Sequence, residues 1–341
     1  MKKFLFSALI VFTSFIFTSI FFSAIICSCA GNAASAQEYF SIGMAYFDLG
    51  KYEDAEKWLN RAMQSDRTMT ASQYNLGRLA FERQRYSEAA RHFEDVLKKD
   101  PNNVLALRAA AYTRIKTGDI DIAQRHYSRL LELVPENADD GYNHALVLYA
   151  MERYDEAEQI LEKYRYSLRD NRDLLLLYAR TQSAQNKVEA IDTFSSWLAD
   201  GSDPKVRYEY ALALEYNELY ARALEELQKA ITEVTTSTTN IKKSDIRFAL
   251  ARVLLIADGD STEGITEMRS AVEEGFNDID AIEKLIESGK VTGANRDSLR
   301  DIASGMRRTE AARIEAEEAQ KSEDEKAEED ISETDPESGT Q

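Results

Sequence analysis

Small, apolar and charged residues recur in a fixed order along this chain between residues 36 and 276. The clearest marker is an alanine within a short acidic phrase, such as "YEDAEKWL", which returns after 33 or 34 residues. The alanines at this position are Ala55, Ala89, Ala123, Ala157, Ala190 and Ala223. A constant period of this length is typical of stacked repeats of paired helices.

A second small residue precedes each of the first four alanines by twelve positions. These residues are Gly43, Gly77, Ala111 and Ala145. Where two helices cross closely, a side chain larger than that of alanine would push the backbones apart. Between the two small positions lie Gly50, Gln84, Gly118 or Glu152, which predict the turn. Each unit is therefore predicted to be an antiparallel helix pair.

The remaining pattern agrees with this prediction. Tyr52, Tyr86 and Tyr154 follow the turn, and Pro101 and Pro135 stand where a second helix must end. With the two small positions, these features resemble the tetratricopeptide repeat (TPR). The resemblance implies an all-α fold, namely a right-handed superhelix of stacked antiparallel helix pairs, with about six or seven repeats and C-terminal capping helices.

The pattern also predicts boundaries. The seventh unit is degenerate, with Gly264 at the alanine position, and it follows an enlarged loop. Capping helices are expected over 277–308 and an acidic disordered tail over 309–341. The units are expected near 36–69, 70–103, 104–137, 138–170, 171–203, 204–237 and 245–276.

Charge is distributed unevenly over the 341 residues. The net charge is −18, and the tail from Thr309 to Gln341 holds thirteen acidic residues against three basic ones. The rest of the chain is therefore only mildly acidic. A protein that binds nucleic acid needs a basic face to displace counterions from phosphates, so nucleic acid is not expected as a partner.

The N-terminus is predicted to carry an export signal. Lys2 and Lys3 precede an apolar run to Ile26, and the following "ICSCAGN" resembles a bacterial lipobox. This resemblance implies a signal over 1–28, lipidation of Cys29 and a short tether over 29–35. Because Ala30 rather than Asp follows the cysteine, analogy with lipoprotein sorting favours the outer membrane. An uncleaved inner-membrane signal anchor is the alternative, since the run is long enough to span a bilayer.

Residues suited to catalysis are scarce. The three histidines are His92, His126 and His144, and the first two fall at the same position of successive units. There is no metalloprotease motif, glycine-rich phosphate loop or serine elbow. No enzyme activity, metal or cofactor is expected.

Binding is better supported. Residues three before and four after each small position of the first helix lie on one helical stripe, and the resemblance implies that this stripe lines the concave face. A face of Phe and Tyr with nearby arginines suits a peptide with apolar anchors and some acidic groups. Alternatively, the aromatic rings simply fill the space between helices. The predicted partner-binding residues are Phe40, Phe47, Tyr74, Arg78, Phe81, Arg108, Tyr112, Tyr142, Tyr149 and Tyr208.

Some members of this family bind a C-terminal carboxylate with Lys and Asn of the first helix. Here Phe40 and Met44 occupy those positions, so this clamp is not expected. The leading hypothesis is a membrane-anchored extracytoplasmic scaffold for a protein or peptide. The alternatives are an accessory subunit of an envelope transport or secretion complex, docking by its convex face or tail, and a carrier of a small ligand within the superhelix.

Overall fold

The computed structural model describes residues 35–167, 171–235, 240–259 and 261–333. Over these ranges the regular structure is helical and contains no strand. The chain divides into two compact units, Met1–Leu177 and Tyr178–Gln341. The predicted signal and Cys29 lie outside the described residues.

The first unit consists of helix pairs joined by short turns. Helix α1 spans residues 35–48. The following helices are α2 (Tyr52–Ser65), α3 (Thr70–Glu82), α4 (Tyr86–Lys99), α5 (Val104–Thr117), α6 (Ile120–Leu133), α7 (Ala138–Ala150) and α8 (Tyr154–Lys163). A 3₁₀ turn at Arg165–Ser167 follows, and α9 (Arg172–Ala184) crosses the boundary between the units. Helices α1, α3, α5 and α7 are called the first helices below.

The turn within each pair places one residue in the left-handed region. Gly50 and Gly118 adopt φ values of 69° and 81°, whereas Gln84 and Glu152 adopt 58°. Left-handed backbone strains any residue with a Cβ. The turn therefore has a fixed geometry that the chain maintains even where glycine is absent.

The small residues lie where helices approach most closely. Ala55, Ala89, Ala123 and Ala157 have no exposed surface. A Cβ added at Gly77 would lie 2.6 Å from the ring of Phe93. A still closer approach, between Gly141 and Tyr164, was not predicted from the sequence. A Cβ added at Gly141 would lie 2.0 Å from the Tyr164 ring.

The second unit continues with pairs of the same kind, and its alanines Ala190 and Ala223 are fully buried. Ser261 caps α14 by accepting a hydrogen bond from the backbone N–H of Gly264 at 3.1 Å. The helices that follow α9 in the second unit are α10 (Glu189–Ala199), α11 (Pro204–Tyr216), α12 (Tyr220–Glu233), α13 (Lys243–Ala257), α14 (Thr262–Glu273), α15 (Ile279–Glu287) and α16 (Gly293–Glu333).

The predicted all-α class of stacked helix pairs is confirmed by these elements. Helix α16 packs on the core through Leu299 and Ala303, then continues past residue 308 with its side chains exposed from Thr309 to Lys321. Residues such as Ala, Glu and Lys favour helix even without a core beneath them. Within the described ranges, no helix combines the length and apolar character needed to cross a bilayer.

Candidate protein-binding surface

Side chains of successive first helices contact one another along the stripe predicted to bind a partner. The guanidinium of Arg78 on α3 lies over the Phe47 ring of α1, 4.8 Å from its centroid. Arg78 Nη1 also donates a hydrogen bond to Asn75 Oδ1 at 3.0 Å. Both partners are uncharged, and Arg78 forms no ion pair with any described residue, so its positive charge stays available.

The next link joins α3 to α5. The Phe81 ring lies 5.5 Å from the ring of Tyr112 and 5.2 Å from that of Tyr86, which begins α4. Tyr112 is 44% exposed, and the Lys116 ammonium lies 5.4 Å from its ring centroid. Phe81 is therefore a half-buried support that holds the exposed face of Tyr112 in place.

The third link, between α5 and α7, is ionic. Arg108 donates to both carboxylate oxygens of Asp140 from Nε and Nη2, each at 2.7 Å. The Asp140 side chain is fully buried, whereas that of Arg108 is 39% exposed. These hydrogen bonds raise the pKa of Arg108. The charge of Arg108 is therefore largely neutralised by Asp140 within the protein. Arg78 is the cation of this stripe that is better placed to contact an acidic group.

Other predicted site residues also serve the packing. Phe47 lies 5.7 Å from Tyr52, and the Tyr149 ring lies 5.3 Å from that of Tyr154, so α1 and α7 each contact the start of the following helix through an aromatic pair. The corresponding contact of Phe81 is the one with Tyr86 given above. The aromatic residue at this position thus closes the turn and presents only part of its ring.

The remaining predicted residues differ in their surroundings. Phe40 is half-buried against the cluster around Leu59, and the Tyr74 ring lies 5.5 Å from that of Phe93. Tyr142 is half-buried on α7. Tyr208 lies in the second unit, beside a cavity of about 290 Å³, and burial raises its pKa.

Two exposed leucines belong to the same surface and were missed from the sequence. Leu105 is 59% exposed, and it precedes Tyr112 by seven residues on α5, which places both on one face. Leu146 is 37% exposed and follows Ala145 as Tyr112 follows Ala111. For Leu146, the signal in the sequence was its position directly after the small residue Ala145. We call Phe47, Arg78, Phe81, Leu105, Tyr112 and Leu146 the first-helix stripe.

The histidines are held by structural contacts. The Nδ1 atom of His92 lies 2.8 Å from Gln73 Nε2, and the Nε2 atom of His126 lies 3.0 Å from Glu94. His144 is buried beside Tyr127, and burial lowers its pKa to about 4. In the part of the chain that the structure describes, no group of three or more His, Cys, Asp or Glu residues could hold a metal ion.

Comparison with known proteins identifies the repeats. Tetratricopeptide-repeat family models match residues 36–68 and 80–142. The chain is 24% identical over 157 residues to an uncharacterized lipoprotein of Treponema pallidum (strain Nichols), covering 46% of this chain and 80% of that protein. It is 29% identical over 132 residues to Hsp70-Hsp90 organizing protein 1 of Glycine max, covering 37% of this chain and 22% of that protein.

Solved structures show the same fold. A tetratricopeptide repeat protein from Parabacteroides merdae superposes with a TM-score of 0.51 at 19% identity, over 74% of this chain and 98% of that chain. The C-terminal part of a TPR repeat-containing protein from Cytophaga hutchinsonii gives a TM-score of 0.50 at 16% identity, over 63% and 85%. The chain therefore contains tetratricopeptide repeats arranged as a solenoid of helix pairs.

Proposed function

We propose that this protein is a membrane-tethered scaffold outside the cytoplasm that binds a segment of a partner protein along the first-helix stripe. The observation that carries the proposal is the combination of Leu105, Tyr112 and Leu146, large apolar side chains exposed on first helices, with the unpaired cation Arg78. Aromatic and arginine side chains held rigidly by their neighbours are the residues that dominate binding energy at protein interfaces.

The stripe favours a ligand with apolar anchors and an acidic group. Tyr112 and the leucines offer apolar surface, and Arg78 offers a charge that forms no ion pair with a carboxylate of the described residues. Arg108 does not add to this charge because Asp140 neutralises it. The similarity to an Hsp70-Hsp90 organizing protein supports a scaffolding role. Recognition of a C-terminal carboxylate is not part of the proposal, since Phe40 and Met44 occupy the clamp positions.

The test uses exposed side chains, so that binding and folding can be separated. Tyr112→Ala and Leu146→Ala are introduced together, with Tyr166→Ala as the matched control because Tyr166 is 96% exposed on the 3₁₀ turn. Partners are captured from native membranes and quantified by mass spectrometry. We expect the double variant to lose at least about tenfold of the specific partner at unchanged far-UV circular dichroism. Equal recovery by the double variant and by Tyr166→Ala would refute the stripe as the binding surface.

The tether is a separate part of the proposal. The "ICSCAGN" sequence and the similarity to a Treponema pallidum lipoprotein support lipidation of Cys29. Cys29→Ala should release the protein from membranes, and the mass of the mature N-terminus should show a diacylglyceryl or triacyl cysteine. A mature chain that begins at Met1 would instead indicate an uncleaved anchor.

A further inference from the structure

A second surface lies at the C-terminal end of the second unit and shares no residue with the first-helix stripe. A groove of about 920 Å³ runs between α14, the start of α15 and α16. Its apolar floor is formed by half-buried side chains that rest on the core cluster beneath them. They are Val272, Ile279, Ile302 and Met306. The volume is within the range of ligand-binding clefts in proteins.

A glycine in the wall of the groove has no packing role among the described residues. Gly305 lies inside α16, where glycine destabilises a helix relative to alanine. Its φ is not in the left-handed region, and a Cβ added there would meet no atom within 4 Å. Neither a turn nor a close contact therefore requires it. The open space beside Gly305 leaves room for another backbone or side chain to approach the helix closely.

The charges around the groove are mainly negative. Arg313 is engaged by Glu310 and Glu317. Among the described residues, Glu273, Asp280 and Asp301 form no ion pair. Arg269 is the one basic lining residue that is not paired with a carboxylate of the described chain. The rim thus presents unpaired carboxylates above an apolar floor.

This arrangement selects its occupant by charge. An anionic lipid surface or an acidic segment, such as the C-terminal tail of a second copy, would be repelled by the rim. We propose that the groove binds a segment of a partner protein in which apolar side chains are flanked by Lys or Arg. The apolar side chains would cover Val272, Ile302 and Met306, and the cations would pair with the free carboxylates.

The experiment selects the ligand from random sequences. A phage-displayed library of random 16-residue peptides is panned on the full 341-residue chain in non-ionic detergent. It is then depleted on a Gly305→Leu variant, whose side chain fills the groove. We expect enrichment of peptides that combine Leu, Ile or Phe with Lys or Arg. Failure to enrich after depletion, or enrichment of acidic or neutral peptides, would overturn the proposal.

Affinities of an enriched peptide then separate the groove from general electrostatics. Gly305→Leu should weaken binding at least about tenfold while leaving Tm unchanged or raised, because leucine favours helix more than glycine does. Ser304→Leu is the matched control, since Ser304 is exposed on α16 and does not line the groove. Asp280→Asn with Asp301→Asn should weaken binding about three- to tenfold. Equal affinity for the Gly305→Leu and Ser304→Leu variants would refute the site.

Discussion

The Arg108–Asp140 pair allows a direct test of whether a predicted binding residue is structural. Arg108→Met keeps an unbranched apolar stem and removes the guanidinium. The carboxylate of Asp140, which has no exposed surface, would then lose both of its 2.7 Å hydrogen bonds from Arg108. A buried charge without its partner destabilises the folded state, so the free energy of unfolding should fall.

The magnitude follows from the burial of the two partners. Removing one member of a fully buried pair costs about 3–5 kcal/mol. Here the Arg108 side chain is 39% exposed, so that water can reach the carboxylate once the guanidinium is gone. Asp140 also lies in the first turn of α7, where the helix dipole stabilises a negative charge by about 0.3–1 kcal/mol. We therefore expect a loss of about 2–3 kcal/mol.

A surface pair of the same geometry provides the control. Arg153 donates to Glu156 from Nε and Nη2, also at 2.7 Å each, but these side chains are 37% and 52% exposed. Exposed pairs contribute about 0–1 kcal/mol. Arg153→Met should therefore change stability much less than Arg108→Met, although both variants remove two hydrogen bonds from an arginine.

Urea unfolding followed by far-UV circular dichroism measures both variants. The double variant Arg108→Met/Asp140→Leu should be more stable than Arg108→Met alone, because it no longer buries an unpaired charge. If Arg108→Met costs no more than Arg153→Met, the buried pair is not structural. Arg108 would then be free to contact a partner, as the sequence pattern first suggested.

Two other predictions concern the turns and the response to pH. Glu152→Gly should stabilise the protein by about 0.5–1 kcal/mol. The change relieves left-handed strain of about 1–2 kcal/mol, and the greater flexibility of glycine in the unfolded chain offsets part of that gain. Gly118→Ala should lower Tm, and a shift of the same sign for both variants would contradict the strain argument. His144 has a folded pKa of about 4 against an ordinary 6.5, so the unfolded chain binds the extra proton between these values. The contribution of neutral His144 to the free energy of unfolding is complete above about pH 6.5, and it falls by about 3 kcal/mol as the pH drops to 4. His144→Gln should flatten that part of a pH series of urea midpoints, and parallel curves would exclude His144 as the cause.

Local features of the repeat could be predicted from the sequence. Gly50, Gly118, Gln84 and Glu152 occupy the turn because the connection between two packed helices needs one left-handed residue. The buried alanines, such as Ala89, were equally predictable. These requirements operate within a single repeat of paired helices, and they recur with it, so that periodicity alone reveals them.

Contacts between repeats could not be predicted in the same way. Asp140 stands in the first turn of α7, yet its side chain has no exposed surface and Arg108 of α5 neutralises it. Leu105 and Leu146 are large apolar residues of first helices, yet they are exposed. In each case burial depends on the neighbouring helix pair, whose distance and rotation are not encoded by any short pattern.

The sequence by itself therefore determined the helical class, the length of the repeat and the small residues on which it depends, because these follow from backbone geometry and close packing. Tertiary structure decided which arginine keeps a free charge, which apolar residues face outward, and that Gly305 borders a groove. Those properties arise from side chains far apart in the chain that meet only when the helix pairs stack. The repeated sequence describes the building unit, and the surfaces available to partners are set by how the units pack.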